Sequence, residues 1–338
     1  MAKPKLLVLH PKEWATSDYG KNSRLDISHV SIGGRIPKKR NGTPTFDGYA
    51  DMATDNGMVD LREAVRKIQP DAFLFWMHGN FPPALLIQLR AIAPKMKFVN
   101  WFGNHRFNVP GNVTRYKQTL DMLLINSKDS QQLAMYRKHV KHTFCLYDGF
   151  SPSESPLVES KPEYDLFFGG NSYMGGVSKN HKLDFPGGKI RYDLIVGCDK
   201  RFKILVTTGY PQFWPFKTEP EVFHPHYAAK MREAKITLNV NHFPSLKQAY
   251  TRRTIRSLFA RRCHITLYIP GMEADFENHK DLVWFHTIDE AFDLIRYYLD
   301  HDDKREEIAW AGWNKALQHY TFENRLNEFS KQLRSIGV

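Results

Sequence analysis

Apolar residues in this 338-residue chain follow two spacings that take turns. Short unbroken runs, Lys5 to His10, AFLFWM from Ala72, KFVNWF from Lys97, DMLLIN from Asp121 and HTFCLY from His142, suit strands buried on both faces. Between them VDLREAVRKIQP from Val59, PPALLIQLRAIAP from Pro82 and SKDSQQLAMYRKHV from Ser127 carry helical spacing, with Ser127 as the expected N-cap. The polar segment from Pro11 to Asn56, with turn residues around Asn41-Gly42, predicts a long loop or hairpin.

A second alternation begins after FSPSESPLVESKP, a Ser- and Pro-rich stretch that reads as a linker. It runs from YDLFFGGNS at Tyr164 through a helix near 190–198, KILVTTG from Lys203, a helix near 225–235 and a strand over 236–240. A basic helix over 254–262, strands over 264–269 and 282–286, and helices over 288–299, 304–318 and 322–336 complete it. Strands alternating with helices in two halves predict an α/β chain of two Rossmann-like, doubly wound domains. The boundaries expected are 1–150, a linker over 151–162, a second domain over 163–320 and a terminal helix over 321–338.

Composition narrows the class. At 42% hydrophobic and 25% charged the chain reads as a globular enzyme, and no run reaches the roughly 18 apolar residues of a membrane span. The amino terminus lacks a signal-peptide apolar core, which predicts a cytoplasmic protein. Three scattered cysteines, Cys145, Cys198 and Cys263, predict buried thiols rather than disulfides or a zinc site. Of the net charge of +12, residues 1–150 carry 22 Lys and Arg against 12 Asp and Glu, and residues 151–338 carry 26 against 24. That asymmetry points to an anionic partner for the first half, such as nucleic acid, a phosphorylated glycan or a membrane surface, or serves solubility alone.

Candidate chemistry sits where strands end. In the second half, Gly169, Gly170, Asn171 and Ser172 follow a strand, and glycines there let backbone N–H groups approach a phosphate. Arg253 and Arg256 open the basic helix, a place that suits phosphate, although solvated arginines would look the same in sequence. Asn239, Asn241 and His242 end another strand and suit a ribose or base. In the first half the strand ends offer His10, His78 and the run Asn104, His105, Arg106, as base or sugar contacts or as plain loop residues. Lys38, Lys39, Arg40, Arg106 and Arg115 lie among aromatic residues, a combination that tracks a phosphate backbone and stacks on bases, or forms a solvated face over a core containing Trp101. No nucleophile elbow, P-loop or H-E-x-x-H helix occurs.

These pieces, in order, resemble a family. Tyr164-Asp165 through Gly169-Gly170-Asn171, Thr254-Ile255-Arg256, Ile269-Pro270-Gly271-Met272-Glu273 and His319 to Leu326 are similar to GT-B glycosyltransferases, in particular the bacterial and phage group that includes the spore-maturation protein CgeB. Pro70 to Trp76 and Val99 to Asn104 fit as well, so that the resemblance covers most of residues 60–335. It implies two domains facing a central cleft, a carboxy-terminal helix crossing back, and a nucleotide-diphosphate sugar, UDP-sugar foremost, as co-substrate without a tightly bound metal. It implies Gly170 and Asn171 near the diphosphate and Arg256 on it.

Phage β-glucosyltransferases that modify hydroxymethylated DNA bases have a similar glycine loop and arginine helix. The resemblance therefore implies transfer to a hydroxymethylated pyrimidine in double-stranded DNA. A cell-surface or spore polymer is the alternative acceptor, and a catalytically silent nucleic-acid-binding relative the alternative to an enzyme. Two positions depart from the pattern. Phe259 stands where a ribose-binding glutamate is common, and Asn104 stands near the place of an aspartate base, which leaves His105 or His78 for that role.

Overall fold

The structure is a computed structural model and describes residues 2–11, 24–32, 51–54, 57–76, 83–103, 108–152, 161–172, 185–222 and 226–338. The chain divides into two compact units, residues 1–147 with 322–338, and residues 148–321. Among the described residues, no helix is long and apolar enough to cross a membrane.

The first unit is built on β1 (Lys5–Pro11), β2 (Asp26–Ile32), β5 (Ala72–Trp76), β6 (Lys97–Phe102), β7 (Met122–Ile125) and β8 (His142–Cys145), with a small hairpin of β3 (Asp51–Thr54) and β4 (Gly57–Asp60). The six strands lie in the order β2-β1-β5-β6-β7-β8 and every pair is parallel. Residues alternate between two cores. Leu7, Leu9, Phe73, Phe75, Phe98, Leu123 and Ile125 pack with α1 (Leu61–Ile68) and α2 (Pro83–Ile92) on one face. Leu6, Val8, Leu74, Val99, Trp101, Met122 and Leu124 pack on the other with Phe322, Leu326, Phe329 and Leu333 of α10 (Phe322–Arg334). Period-two alternation between two apolar layers is why these strands read as unbroken hydrophobic runs. Among the described residues the unit also holds the short helices α3 (Gly111–Arg115) and α4 (Ser130–Arg137).

Three details differ from the sequence reading. The polar segment after β1 contributes β2, whose pattern DISHVSI is too polar to stand out but which pairs along all of β1. Asp129, not Ser127, caps α4: its side chain accepts from the Gln132 N–H at 2.8 Å. Cys145 is half-buried rather than buried, while Cys198 and Cys263 are enclosed. Burial pushes all three thiols up to about 12, so none is a thiolate at neutral pH.

The second unit holds β9 (Tyr164–Gly169), α5 (Gly187–Asp199), β10 (Ile204–Thr208), β11 (Glu219–Pro220), α6 (Tyr227–Met231), β12 (Ala234–Asn239), α7 (Arg252–Phe259), β13 (Cys263–Leu267), β14 (Val283–Phe285), α8 (Ile288–Asp300) and α9 (Asp302–His319). The strand order is β11-β10-β9-β12-β13-β14, again wholly parallel. The chain leaves β9 to one side for β10 and returns to the other for β12, so the order reverses between β9 and β12. Such a reversal is where open α/β sheets leave a crevice at their carboxyl ends.

Candidate functional site

Arg253 lies at that reversal. Its Nε donates to the Gly169 carbonyl at 2.6 Å and its Nη1 to Asn239 Oδ1 at 2.6 Å, which joins the ends of β9 and β12 through one guanidinium. The same guanidinium stands 5.2 Å from the centre of the Phe168 ring. Glycine is required beside it. Gly170 has φ of +153° and a Cβ there would meet Arg253 Nη2 at 2.6 Å, while a Cβ on Gly169 would collide with the Tyr227 hydroxyl.

The glycine turn is held from below. Arg191 of α5 is fully buried and donates to the carbonyls of Asn171, at 2.9 Å, and Val240, with its own guanidinium 5.6 Å from the Phe168 ring. Phe168 thus has a guanidinium contact from Arg191 as well as from Arg253. Asn171 Oδ1 accepts from Thr208 at 2.8 Å, and the Gly170 N–H donates to Thr207 at 2.8 Å, which ties the turn to β10. Ser172 is buried and its hydroxyl donates to the Phe213 carbonyl.

Asn239 and Asn241 are enclosed. Asn239 Nδ2 donates to Asn241 Oδ1 at 2.9 Å, and Asn241 Nδ2 donates to the Ala249 carbonyl at 2.6 Å. Asn241 thereby spends its amide on the loop between β12 and α7, a scaffold position. That loop is fastened at its far end by Gln248 and Tyr250, which both donate to Asp275 Oδ2, at 2.7 and 2.8 Å. Burial first, and then the Asp275 charge, push the Tyr250 phenol well above its ordinary range, so it remains a donor.

The amino end of α7 is rich in cations. Arg252 pairs with the buried Asp148 at 2.8 Å. Thr251, at the N-cap, makes no capping bond from its side chain, and its hydroxyl has no hydrogen-bond partner among the described residues. Arg256 lies between two rings, 5.1 Å from Phe150 and 5.2 Å from Tyr227. The residue that reaches the glycine turn is therefore Arg253, with Arg256 stacked one turn further along the helix. Phe259, three residues after Arg256, is a core residue against Phe150. Counted from Arg253, the same spacing falls on Arg256.

Arg191 gives no signal in the sequence, because a basic residue within a helix reads as solvated. Glu221 gives none either; it follows β11 at the carboxyl end of the sheet, with its carboxylate near Gly209. Burial pushes that carboxyl up and the Arg253 charge partly opposes the shift. Of the first-half candidates, Lys38, Lys39, Arg40, His78, Asn104, His105 and Arg106 lie outside the described residues, and Arg115 is exposed at the end of α3. The first sheet reverses between β1 and β5, and His78 follows the end of β5 by two residues.

Residues 190–331 match the sequence family described as glycosyl transferase-like. No curated protein sequence matches the chain. Among solved structures, the chain is similar to a glycosyltransferase from Rickettsia africae ESF-5, at 12% identity and a TM-score of 0.60, with 99% of each chain covered. It is similar also to Anabaena Alr3699/HepE in complex with UDP-glucose, at 11% identity and a TM-score of 0.56, covering 98% of this chain and 99% of that one. Sucrose-phosphate synthase from Thermosynechococcus elongatus superposes at 8% identity with a TM-score of 0.60, over 99% of each chain. The chain has the two-sheet α/β fold of the GT-B glycosyltransferases, with a glycosyl transferase-like segment over residues 190–331.

Proposed function

We propose that this protein is a glycosyltransferase that takes a sugar from a UDP-sugar and passes it to an acceptor hydroxyl. The observation that carries this reading is Arg253, fixed across the β9 and β12 ends beside a glycine that tolerates no side chain. A cation held by two hydrogen bonds needs no reorganisation when negative charge develops on a leaving diphosphate, which is the condition for electrostatic stabilisation of that step. The diphosphate would lie along Gly169, Gly170, Asn171 and Ser172, with Arg253 on it and Arg256 adding charge from the same helix. UDP is favoured because UDP-glucose occupies the similar Anabaena protein.

The acceptor in this reading is a hydroxymethylated pyrimidine in double-stranded DNA, drawn out of the stack and held by the basic first half through Lys38, Lys39, Arg40, Arg106 and Arg115. The charge excess of residues 1–150 supports it. His78 or His105 would take the acceptor proton, with Asn104 positioning the hydroxyl, and the protein would act in the cytoplasm.

The test is transfer of labelled sugar from a panel of nucleotide sugars to duplexes containing cytosine, hydroxymethylcytosine or hydroxymethyluracil. Label on one modified duplex, lost in Arg253→Ala, supports donor, acceptor and phosphate site together. Donor hydrolysis without labelled DNA moves the acceptor to a glycan or protein. Failure to bind any nucleotide sugar overturns the reading.

A further inference from the structure

We propose that the amino-terminal end of the first sheet holds a second anion site, for a small molecule bearing two or more phosphate groups. A cavity of about 360 Å³ opens there, lined by Lys97, Lys117, Asp121, His139, Lys141 and His142. Lys97 begins β6, Asp121 precedes β7 and His142 begins β8, and because these strands are parallel all three lie at the same sheet end.

Three lysines outnumber the one carboxylate there. Asp121 is already committed: its Oδ2 accepts from Arg90 Nη2 and from the Phe98 N–H, both at 2.8 Å. Arg90 is itself fixed, by a bond to the Thr119 carbonyl at 2.8 Å and by the Phe98 ring 4.6 Å away. Arg90 thus balances Asp121, and Lys97 stands 4.0 Å from its second oxygen. Lys117, Lys141, His139 and His142 face no acidic partner among the described residues. Like charges gathered on one cavity repel, and a multivalent anion reverses the sign of that term. Lysines supply it with flexible point charges, the form of contact that phosphate accepts from any direction.

Size and place define the ligand class. The volume is at the lower end of the roughly 300–1,000 Å³ typical of small-molecule sites, which suits a compact anion. Strands of four to six residues separate this end from the carboxyl-end loops by about 13–20 Å, at about 3.3 Å per residue. A bound anion would therefore act as an effector and not as a reactant at those loops.

The experiment uses inorganic tripolyphosphate, titrated calorimetrically into the full chain, into Lys117→Gln/Lys141→Gln and into Arg253→Ala, with circular dichroism to confirm that each variant is folded. Binding to the wild type that weakens at least tenfold in the double variant and persists in Arg253→Ala is expected. Equal binding in the double variant, loss in Arg253→Ala or no binding to the wild type overturns the proposal. So does a lysine-dependent affinity for a 20-base-pair duplex without affinity for tripolyphosphate, which would make the patch a polymer track.

Discussion

A Cβ on Gly170 would stand 2.6 Å from Nη2 of Arg253. The backbone of one residue and the guanidinium of the other are therefore fitted to each other without room for a methyl group. Gly170→Ala is expected to strain a φ of +153° and to drive Arg253 off the Gly169 carbonyl, so that UDP affinity falls about tenfold or more while the sheet remains folded. Calorimetric titration of UDP together with a thermal melt checks both halves of this expectation.

Arg253 and Arg256 should separate in their effects. On the proposed reading, removing Arg253 should take away charge-assisted contacts to the diphosphate worth about 1.5–3 kcal/mol, or roughly 10- to 150-fold in donor affinity. Arg256 is held by the faces of Phe150 and Tyr227, so Arg256→Ala should cost about 0.5–2 kcal/mol of stability with a smaller loss of donor binding. Titration of both variants with UDP, beside urea unfolding, decides the order; equal losses of affinity would place both guanidinia on the diphosphate.

Arg191 is expected to act through the turn and not on the ligand. Arg191→Met keeps much of the volume but leaves the Asn171 and Val240 carbonyls without these donors, at about 1–3 kcal/mol each. Urea unfolding should lose about 2–5 kcal/mol, and donor affinity should fall because the turn shifts.

His264 gives the protein a pH signature. It is fully buried on β13, with Nδ1 3.0 Å from the Thr237 hydroxyl. Burial first, and then the Arg253 charge, lowers it from 6.5 to about 3. Between those values the unfolded chain binds a proton that the folded chain refuses. The His264 contribution to stability is therefore full above pH 6.5 and is lost as pH falls toward 3, by about 1.4 kcal/mol per pH unit. Urea unfolding at pH 4, 5, 6 and 7 should show a steeper fall for the wild type than for His264→Phe, and parallel curves would contradict it.

The parallel α/β class of both units is legible in the chain, because strands buried on both faces are apolar throughout and the helices between them carry one apolar stripe. The sequence by itself also marked the glycine turn at Gly169-Gly170 and the basic helix, since few residue types suit a strand end that something must approach closely. Tertiary structure alone decided the rest. β2 is polar and exists because β1 offers it an edge along its whole length. Arg191 looks solvated in sequence, yet two carbonyls at the ends of β9 and β12 need its donors inside the fold. Arg253 and Arg256 are indistinguishable as letters three apart. The rotation of α7 against the sheet sends one to Gly169 and the other between Phe150 and Tyr227, and that angle is fixed by Ile255 and Leu258 packing into the core, which no local spacing encodes.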